Sequence, residues 1–294
     1  QGRLDVFYEN NKTKQKLIIE LKSGKPYLPN KFGINAEHHA QIMLYFLIIQ
    51  SVYGSYQEVQ SNILYSSQSE NALRNAPVIE NIKQDLIHLR NSIILLHLHL
   101  AFRKREDPFI LDLITEKHYS LAESYTKRDA GMILSIYSAL SKIEKEYFKE
   151  LSGFIAREQF ISKMGRSNMQ YTEGLASLWL LSEHEKITNF MILHGLMIRE
   201  IIQEKGEFPI LILRQTLEEE YISNFRTGDT LVLYSGSSAL REQIYKCTLI
   251  DQFPNEYHIR LRTRQFPNQE SSKLKKWNLE HDSLDRSFIN QFQG

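Results

Sequence analysis

Two carboxylates and a lysine lie close together in the first 22 residues of the chain. Asp5 belongs to an alternating apolar stretch, and Glu20 and Lys22 end a second apolar run, with polar residues 10–16 between the two. Two apolar runs around one polar segment predict a β-hairpin. A turn centred near residues 12 and 13 would place Asp5 opposite Glu20, and the strand period of two puts Lys22 on the same face.

Carboxylates that face each other on neighbouring strands repel, so this pairing needs a compensating charge. A divalent cation supplies it, because Mg²⁺ takes a few carboxylate oxygens, keeps several waters and bridges to substrate phosphate. The predicted ligands of Mg²⁺ or Mn²⁺ are the side chains of Asp5 and Glu20 and the backbone carbonyl of Leu21. Lys22 is predicted to orient the attacking water or to meet the scissile phosphate. The alternative is an ordinary charged hairpin, since these residue types often occur together.

A helix is predicted from residue 36 to residue 53, ending before Gly54. Glu37, Gln41 and Tyr45 are spaced four residues apart and therefore form one polar stripe along it. Its apolar side consists of Ala40, Met43, Leu44, Leu47 and Ile48.

These elements, in this order, resemble the RecB-like branch of the PD-(D/E)XK nuclease superfamily. The resemblance implies an α/β nuclease core in which Gln41 and Tyr45 line the DNA-facing side of the active site. It implies a metal-dependent deoxyribonuclease that prefers single-stranded DNA or a flap end, with Arg3 as a candidate DNA contact. The match rests on Gly2-Arg3-Leu4-Asp5, Glu20-Leu21-Lys22-Ser23-Gly24 and Gln41-Ile42-Met43-Leu44-Tyr45.

Two parts of the family pattern are missing from this sequence. The family carries a further acidic or histidine ligand upstream of the first Asp, and the chain begins at Gln1. We therefore expect a fragment whose isolated chain can lack activity. Many members of the branch hold an iron–sulfur cluster through four cysteines, and Cys247 is the only cysteine here, so no cluster is expected.

The rest of the chain divides into regions of different character. A short strand at residues 62–65, then Arg74 and a helix over residues 78–104, continue the nuclease resemblance. Apolar positions at three- and four-residue steps predict helices over residues 130–164 and 173–205, and short strands after them predict a small β-barrel. The predicted fold is therefore an α/β nuclease core fragment (1–105), a mainly helical segment (106–205), a small β-barrel (206–270) and a lead-out (271–294).

Alternating arginines near the end of the predicted barrel form a basic stripe. Arg260, Arg262 and Arg264 are candidate contacts to a DNA backbone, as is Arg74, and a solvated outer sheet face is the alternative. The order of the regions, from nuclease core through helices and barrel to lead-out, resembles that of the replication nuclease-helicases. In those proteins a superfamily 1 helicase motor follows. The resemblance implies that motor as a partner domain, since this chain contains no Gly-x-x-x-x-Gly-Lys-Ser/Thr loop.

Composition sets the outer limits. The 294 residues carry a formal net charge of +1, which neither favours nor excludes a nucleic-acid partner. One cysteine excludes a disulfide framework and favours a reducing cytoplasm, and no apolar stretch reaches the ~18 residues of a membrane span. Three alternatives stay open: a non-catalytic nucleic-acid-binding module of a superfamily 1 helicase, an RNA-directed assembly, and a purely structural interaction protein.

Overall fold

The structure is a computed structural model that describes residues 4–10, 12–54, 58–165, 174–215, 224–267, 269–282 and 286–293. The chain divides into two compact units, residues 1–96 and residues 97–294. Arg3, a candidate DNA contact, lies outside the described residues. No helix within these ranges is both long enough and apolar enough to cross a membrane.

The first unit is built on a four-stranded sheet with one helix across it. Up to residue 75 its elements are β1 (Val6–Glu9), β2 (Lys16–Lys22), α1 (Ala36–Tyr53), β3 (Val59–Tyr65) and β4 (Leu73–Asn75). The strands lie in the order β1-β2-β3-β4. Strands β2 and β3 are parallel because α1 carries the chain back between them, whereas the two outer pairs are antiparallel.

The β1–β2 hairpin has the register that the sequence predicts. Val6 pairs with Ile19, and Asp5 directly precedes this pair as Glu20 directly follows it. The turn forms because the side-chain carbonyl of Asn10 accepts hydrogen bonds from two backbone N–H groups of the following residues, at 2.9 and 3.2 Å. The predicted hairpin and its shared face are therefore confirmed.

One face of the sheet is buried under α1. The core consists of inward residues of β2, β3 and the helix together with Ile34 from the loop before the helix: Ile18, Ile34, Ile42, Ile49, Ile63 and Tyr65. Asn35 caps the helix by accepting a hydrogen bond from the Glu37 N–H, and Gly54 ends it with a positive φ of 96°. Burial of alternate β2 residues puts Glu20 on this same face.

The middle of the chain is helical. Its helices are α2 (Glu80–Phe102), α3 (Ile110–Leu113), α4 (Glu116–Tyr119), α5 (Ser124–Ala139), α6 (Lys142–Met164), α7 (Leu175–Leu180) and α8 (Glu183–Thr188). The single predicted helix over residues 130–164 is wrong, because Ser141 begins a new helix. Its side chain accepts from the Glu144 N–H, and the Glu144 carboxylate accepts from the Ser141 N–H.

A closed barrel of six antiparallel strands forms the rest of the second unit. Its strands are β5 (Ile192–Ile202), β6 (Ile210–Gln215), β7 (Thr230–Ser235), β8 (Tyr245–Phe253), β9 (Glu256–Leu261) and β10 (Trp277–His281). They follow one another around the barrel in the order β10-β5-β6-β9-β8-β7. Alternate residues of each strand fill the interior, so the barrel has its own core.

The barrel is present as predicted, but its predicted limits are wrong. Residues 192–202 form strand β5, whereas the sequence predicts helix for residues 173–205. The pairing of β5 with β6 shifts register between Ile198 and Glu200, and such a bulge interrupts the period of two that identifies a strand. The predicted lead-out (271–294) contains β10, which pairs with both β5 and β7 and closes the barrel. Two more helices flank this strand, α9 (Gln269–Lys273) and α10 (Arg286–Gln293).

Candidate active site

Four residues predicted from the sequence meet where α1 crosses β2. The Lys22 ammonium donates to Glu20 Oε1 at 3.0 Å and to Gln41 Oε1 at 2.7 Å. The Gln41 amide donates to the same Glu20 oxygen at 2.7 Å and to the Tyr45 hydroxyl at 3.2 Å. The cluster is therefore a closed triangle of hydrogen bonds with Tyr45 as its fourth member.

The direction of α1 across the sheet explains why these side chains meet. The Lys16 ammonium, at the start of β2, lies 4.5 Å from the ring centroid of Tyr53, at the end of α1. Gln41, near the start of the helix, contacts Glu20 near the end of the strand. The helix thus runs opposite to β2, so its polar stripe is brought over Glu20 and Lys22. Sequence periodicity defines the stripe, but only this crossing direction brings it to the carboxylate.

Glu20 is the buried centre of the cluster. It is 4% exposed, and its Oε1 accepts both hydrogen bonds described above. Its Oε2 is buried and has no hydrogen-bond partner among the described residues. A buried carboxylate oxygen without a donor costs free energy, and a cation or a water molecule would offset that cost.

Asp5 lies at the open end of the hairpin. Its Oδ2 accepts a hydrogen bond from the backbone N–H of Leu21 at 2.9 Å, and the residue is exposed. This bond fixes the carboxylate beside the peptide that links Glu20 to Lys22. The Leu21 side chain points away from the buried face, as the sequence predicts.

These residues fit a hard divalent cation. Among the residues that the structure describes, no group of three or more His, Cys, Asp or Glu side chains is arranged to hold a metal ion. A cation here would rest on Glu20, Asp5, the Leu21 carbonyl and water molecules. Mg²⁺ suits such a set because it keeps several waters and is held by one or two carboxylates, whereas the donor set contains no thiolate or imidazole for a softer ion.

His38 belongs to the same region, and the sequence did not identify it. The hydroxyl of the fully buried Tyr65 accepts from the backbone N–H of Asn35 at 3.1 Å and lies 3.0 Å from His38 Nδ1. These two atoms are within hydrogen-bond distance, and which of them donates depends on the tautomer of His38. His38 lies three residues before Gln41 on α1, and that spacing was the available signal.

Charges of the cluster act on His38. Partial burial lowers the pKa of its imidazole below the usual 6.5, and the Lys22 ammonium lowers it further. Glu37 and Glu20 oppose this by raising the same pKa, but they do not reverse the shift. His38 is therefore held in its neutral form at ordinary pH.

Arg74, a candidate DNA contact, is engaged inside the first unit. Its guanidinium donates to the carbonyls of Gly33 and Asn71, both at 3.0 Å, and to the side chain of Gln68. The approach to Gly33 is so close that a Cβ there would lie 1.8 Å from Arg74 Nη1. Gly33 also has a positive φ of 74°, a conformation that strains residues with a Cβ, so glycine is favoured at this position. The DNA contact of Arg74 stays a prediction beside this structural role.

The basic stripe of the second unit is exposed. Arg260 lies on β9, and Arg262 and Arg264 follow the end of that strand. Arg262 donates to the hydroxyls of Thr230 and Thr248 at 3.0 and 3.1 Å, which holds it flat over β7 and β8. The Arg260 guanidinium has no side-chain hydrogen bond among the described residues. It is therefore more available to a DNA phosphate than the guanidinium of Arg262.

Comparison with known proteins leaves the family open. No protein-family model matches this sequence, and no curated protein matches it. Among solved structures, the chain aligns with the crystal structure of a flavohemoglobin from Malassezia yamatoensis with bound FAD and heme, at 11% identity and a TM-score of 0.29. The alignment covers 84% of this chain and spans 60% of the flavohemoglobin chain. A likeness this weak carries no argument about fold or chemistry.

Proposed function

We propose that the first unit is a metal-dependent deoxyribonuclease that hydrolyses phosphodiester bonds. The observation that carries this proposal is the buried Glu20, whose Oε1 is held by Lys22 and Gln41 while its Oε2 has no partner among the described residues. The spacing of Asp5, Glu20, Lys22, Gln41 and Tyr45, which resembles the RecB-like nucleases, supports it independently.

Glu20, Asp5 and the Leu21 carbonyl would hold Mg²⁺ or Mn²⁺. When bound, such an ion lowers the pKa of a coordinated water and neutralises charge that develops on the phosphate. Glu20 would contribute the oxygen that has no partner among the described residues, and Asp5 is already fixed beside Leu21 by the backbone hydrogen bond.

Lys22 and Gln41 prepare the site for an anionic strand. The Lys22 ammonium offsets the Glu20 charge and, being partly exposed, is able to turn from Glu20 to a non-bridging phosphate oxygen. Gln41 fixes the orientation of the Glu20 carboxylate through one amide hydrogen and contacts Tyr45 through the same group. In the tautomer with the proton on Nε2, which would accept the Tyr65 proton at Nδ1, neutral His38 would be a second donor to the phosphate. Hydrolysis adds water across one P–O bond and gives a phosphate monoester and an alcohol.

The test is degradation of end-labelled single-stranded DNA with Mg²⁺, Mn²⁺ or EDTA, for the wild type and Glu20→Ala. We expect cleavage that requires the metal and is lost in the variant. Since the family has a further upstream ligand, a longer chain that extends before Gln1 is assayed in parallel. Metal-independent cleavage, or equal cleavage by Glu20→Ala, would contradict the proposal.

A second candidate is a non-catalytic nucleic-acid-binding module. It is favoured by the small donor set, because within the described residues the carboxylates at this place are Asp5 and Glu20 and no third metal-binding side chain joins them. DNA binding that falls with salt, together with no cleavage in either chain length, would identify this candidate. From the single cysteine we propose a cytoplasmic setting, and from the resemblance to the replication nuclease-helicases a superfamily 1 helicase motor as the partner domain.

A further inference from the structure

The loop that joins β2 to α1 has both ends at the candidate active site. It covers residues 23–35, follows directly after Lys22, and ends at Asn35, which caps the helix that carries His38 and Gln41. A strand bound at the site would therefore have the two ends of this loop beside it.

The second half of the loop is firmly anchored. Ile34 is fully buried in the core of the first unit. The Asn30 side-chain carbonyl accepts hydrogen bonds from the backbone N–H groups of Phe32 and Ile34, at 2.9 and 3.2 Å. Arg74 donates to the Gly33 carbonyl at 3.0 Å. These contacts give the first half of the loop a fixed base.

The first half presents two large apolar side chains to solvent. Tyr27 is 76% exposed and Leu28 is 78% exposed, although they are adjacent in sequence. Pro26 and Pro29 flank them, and each ring fixes the φ angle of its residue, so the backbone here loses little freedom on binding. Leu28 has a φ of 45°, a left-handed conformation that is unusual for a leucine.

The charge of the loop identifies the kind of partner. From residue 21 to residue 36 the sequence contains Lys22, Lys25 and Lys31 and no Asp or Glu. An exposed aromatic ring among cations is the combination with which proteins bind unpaired strands, because bases stack on the ring and the cations follow the phosphates. An acidic partner would match the lysines but not the exposed Tyr27 and Leu28, and a purely apolar partner would match Tyr27 and Leu28 but not the lysines.

We propose that residues 25–29, the stacking tip, form a platform on which an unpaired nucleobase of the bound strand stacks against Tyr27. Leu28 covers the edge of that base, and Lys25 and Lys31 contact the neighbouring phosphates. This inference rests on the proposed function, since it places the tip on the path to Glu20 and Lys22. It makes the tip the element that selects unpaired strands, because a base within a duplex has no free face to offer.

Binding in EDTA tests the tip without cleavage. Fluorescence anisotropy of a labelled oligothymidylate is measured for the wild type, Tyr27→Ala, Tyr27→Trp and Tyr147→Ala. Tyr147 is the control because it is 71% exposed on α6 and no stacking role is assigned to it. We expect Tyr27→Ala to bind roughly tenfold more weakly, the loss of one stacked base, and Tyr27→Trp and Tyr147→Ala to bind as the wild type does.

Oligonucleotides with altered chemistry make the test specific for stacking. A fully abasic strand of the same length should bind the wild type as weakly as oligothymidylate binds Tyr27→Ala. Oligouridylate is compared with oligothymidylate to distinguish an RNA from a DNA strand as the source of the base. Equal binding by Tyr27→Ala and the wild type, or undiminished binding of the abasic strand, would overturn the proposal.

Failure of this inference and failure of the proposed function are distinguishable. If the wild type cuts DNA and Tyr27→Ala binds and cuts equally well, the tip proposal is wrong and the nuclease stands. If nothing is cut but binding depends on Tyr27 and on the bases, the tip proposal stands and the nuclease does not.

Discussion

Each unit of this protein buries a glutamate that is paired with a lysine, and the two pairs differ in how they are closed. In the first unit, the Lys22 ammonium lies 3.0 Å from Glu20, one of whose oxygens has no partner among the described residues. In the second unit, Lys186 and Glu280 are 2% and 3% exposed and 2.9 Å apart. The hydroxyl of Tyr234 donates to the same Glu280 oxygen.

The second pair has further hydrogen-bond partners inside its own unit. The Lys186 ammonium also donates to the Leu178 carbonyl at 2.9 Å, so the pair joins α8 to the barrel strands. Burial raises the pKa of Glu280, although Lys186 and Tyr234 act to lower it, and burial likewise raises the pKa of Tyr234. The Lys186–Glu280 pair therefore links elements of the fold through several partners, whereas the Lys22–Glu20 pair leaves one buried carboxylate oxygen without a partner among the described residues, the feature on which the proposed metal site rests.

The largest contrast is expected from one chemical change made at both places. Glu20→Gln should lower the cleavage rate by at least ~10³-fold. The reason is that a bound metal ion stabilises the transition state by several kcal/mol, and each 1.36 kcal/mol of lost stabilisation slows the reaction tenfold. Glu280→Gln should leave cleavage unchanged, since Glu280 belongs to the barrel. Single-turnover cleavage of labelled DNA at saturating metal concentration measures both rates. An equal loss of cleavage rate in the two variants would contradict the assignment of Glu20, and not Glu280, to the active site.

The reverse contrast concerns stability. Lys186→Met leaves Glu280 buried without its cation, which should lower the free energy of unfolding of the second unit by roughly 3–5 kcal/mol. Both tryptophans, Trp179 and Trp277, lie in that unit, so denaturant unfolding followed by tryptophan fluorescence reports it selectively. Lys22→Met should leave this transition unmoved. A shift below about 1 kcal/mol for Lys186→Met would show that the pair is not a stabilising contact.

The pH dependence of this transition sharpens the same contrast. Because the pKa of Glu280 is raised in the folded state, folding favours its protonated form. The stability that this preference contributes is present below the ordinary pKa of 4.5 and is lost as the pH rises through the raised value. Wild type should therefore lose stability relative to Glu280→Gln as the pH rises across this window. Parallel pH profiles of the two proteins would contradict the assignment.

A smaller effect is expected from the histidine of the open site. His38→Ala removes one donor to the phosphate and should slow cleavage by roughly 10- to 100-fold, the range for a hydrogen bond to a charged group. Tyr65→Phe should slow cleavage less, because the His38 imidazole remains, although this change also removes the acceptor of the Asn35 N–H. Since the pKa of His38 is lowered, the wild-type rate should show no His38 titration near 6.5. A rate that rises with the ordinary histidine pKa would contradict this role.

The smallest effect is expected at the exposed arginines of the barrel. Arg260→Ala should weaken DNA binding equally for all sequences and reduce the slope of log affinity against log salt by about 1. Arg262→Ala should change the slope less, because Thr230 and Thr248 hold its guanidinium against the barrel. Identical slopes for wild type and Arg260→Ala would make the stripe an ordinary solvated surface.

Local patterns predicted part of this fold and missed part of it. The turn position fixed the hairpin register because each residue of offset moves every side chain to the other face. Strand β5 was missed because its bulge breaks the alternation, and β10 was missed because five residues near the chain end carry little periodic signal. The residue range of the barrel therefore had to come from strand pairing.

The sequence by itself determined which side chains share a face: Asp5 with Glu20 and Lys22 on the hairpin, and Gln41 with Tyr45 on the helix. These are consequences of periods of two and of 3.6 residues, which are local properties of the backbone. Tertiary structure alone decided that the two faces meet, that a tyrosine 27 residues away contacts the imidazole of His38, and that one carboxylate oxygen is buried without a donor among the described residues. Those outcomes depend on how whole surfaces pack and exclude water, and no local pattern encodes them.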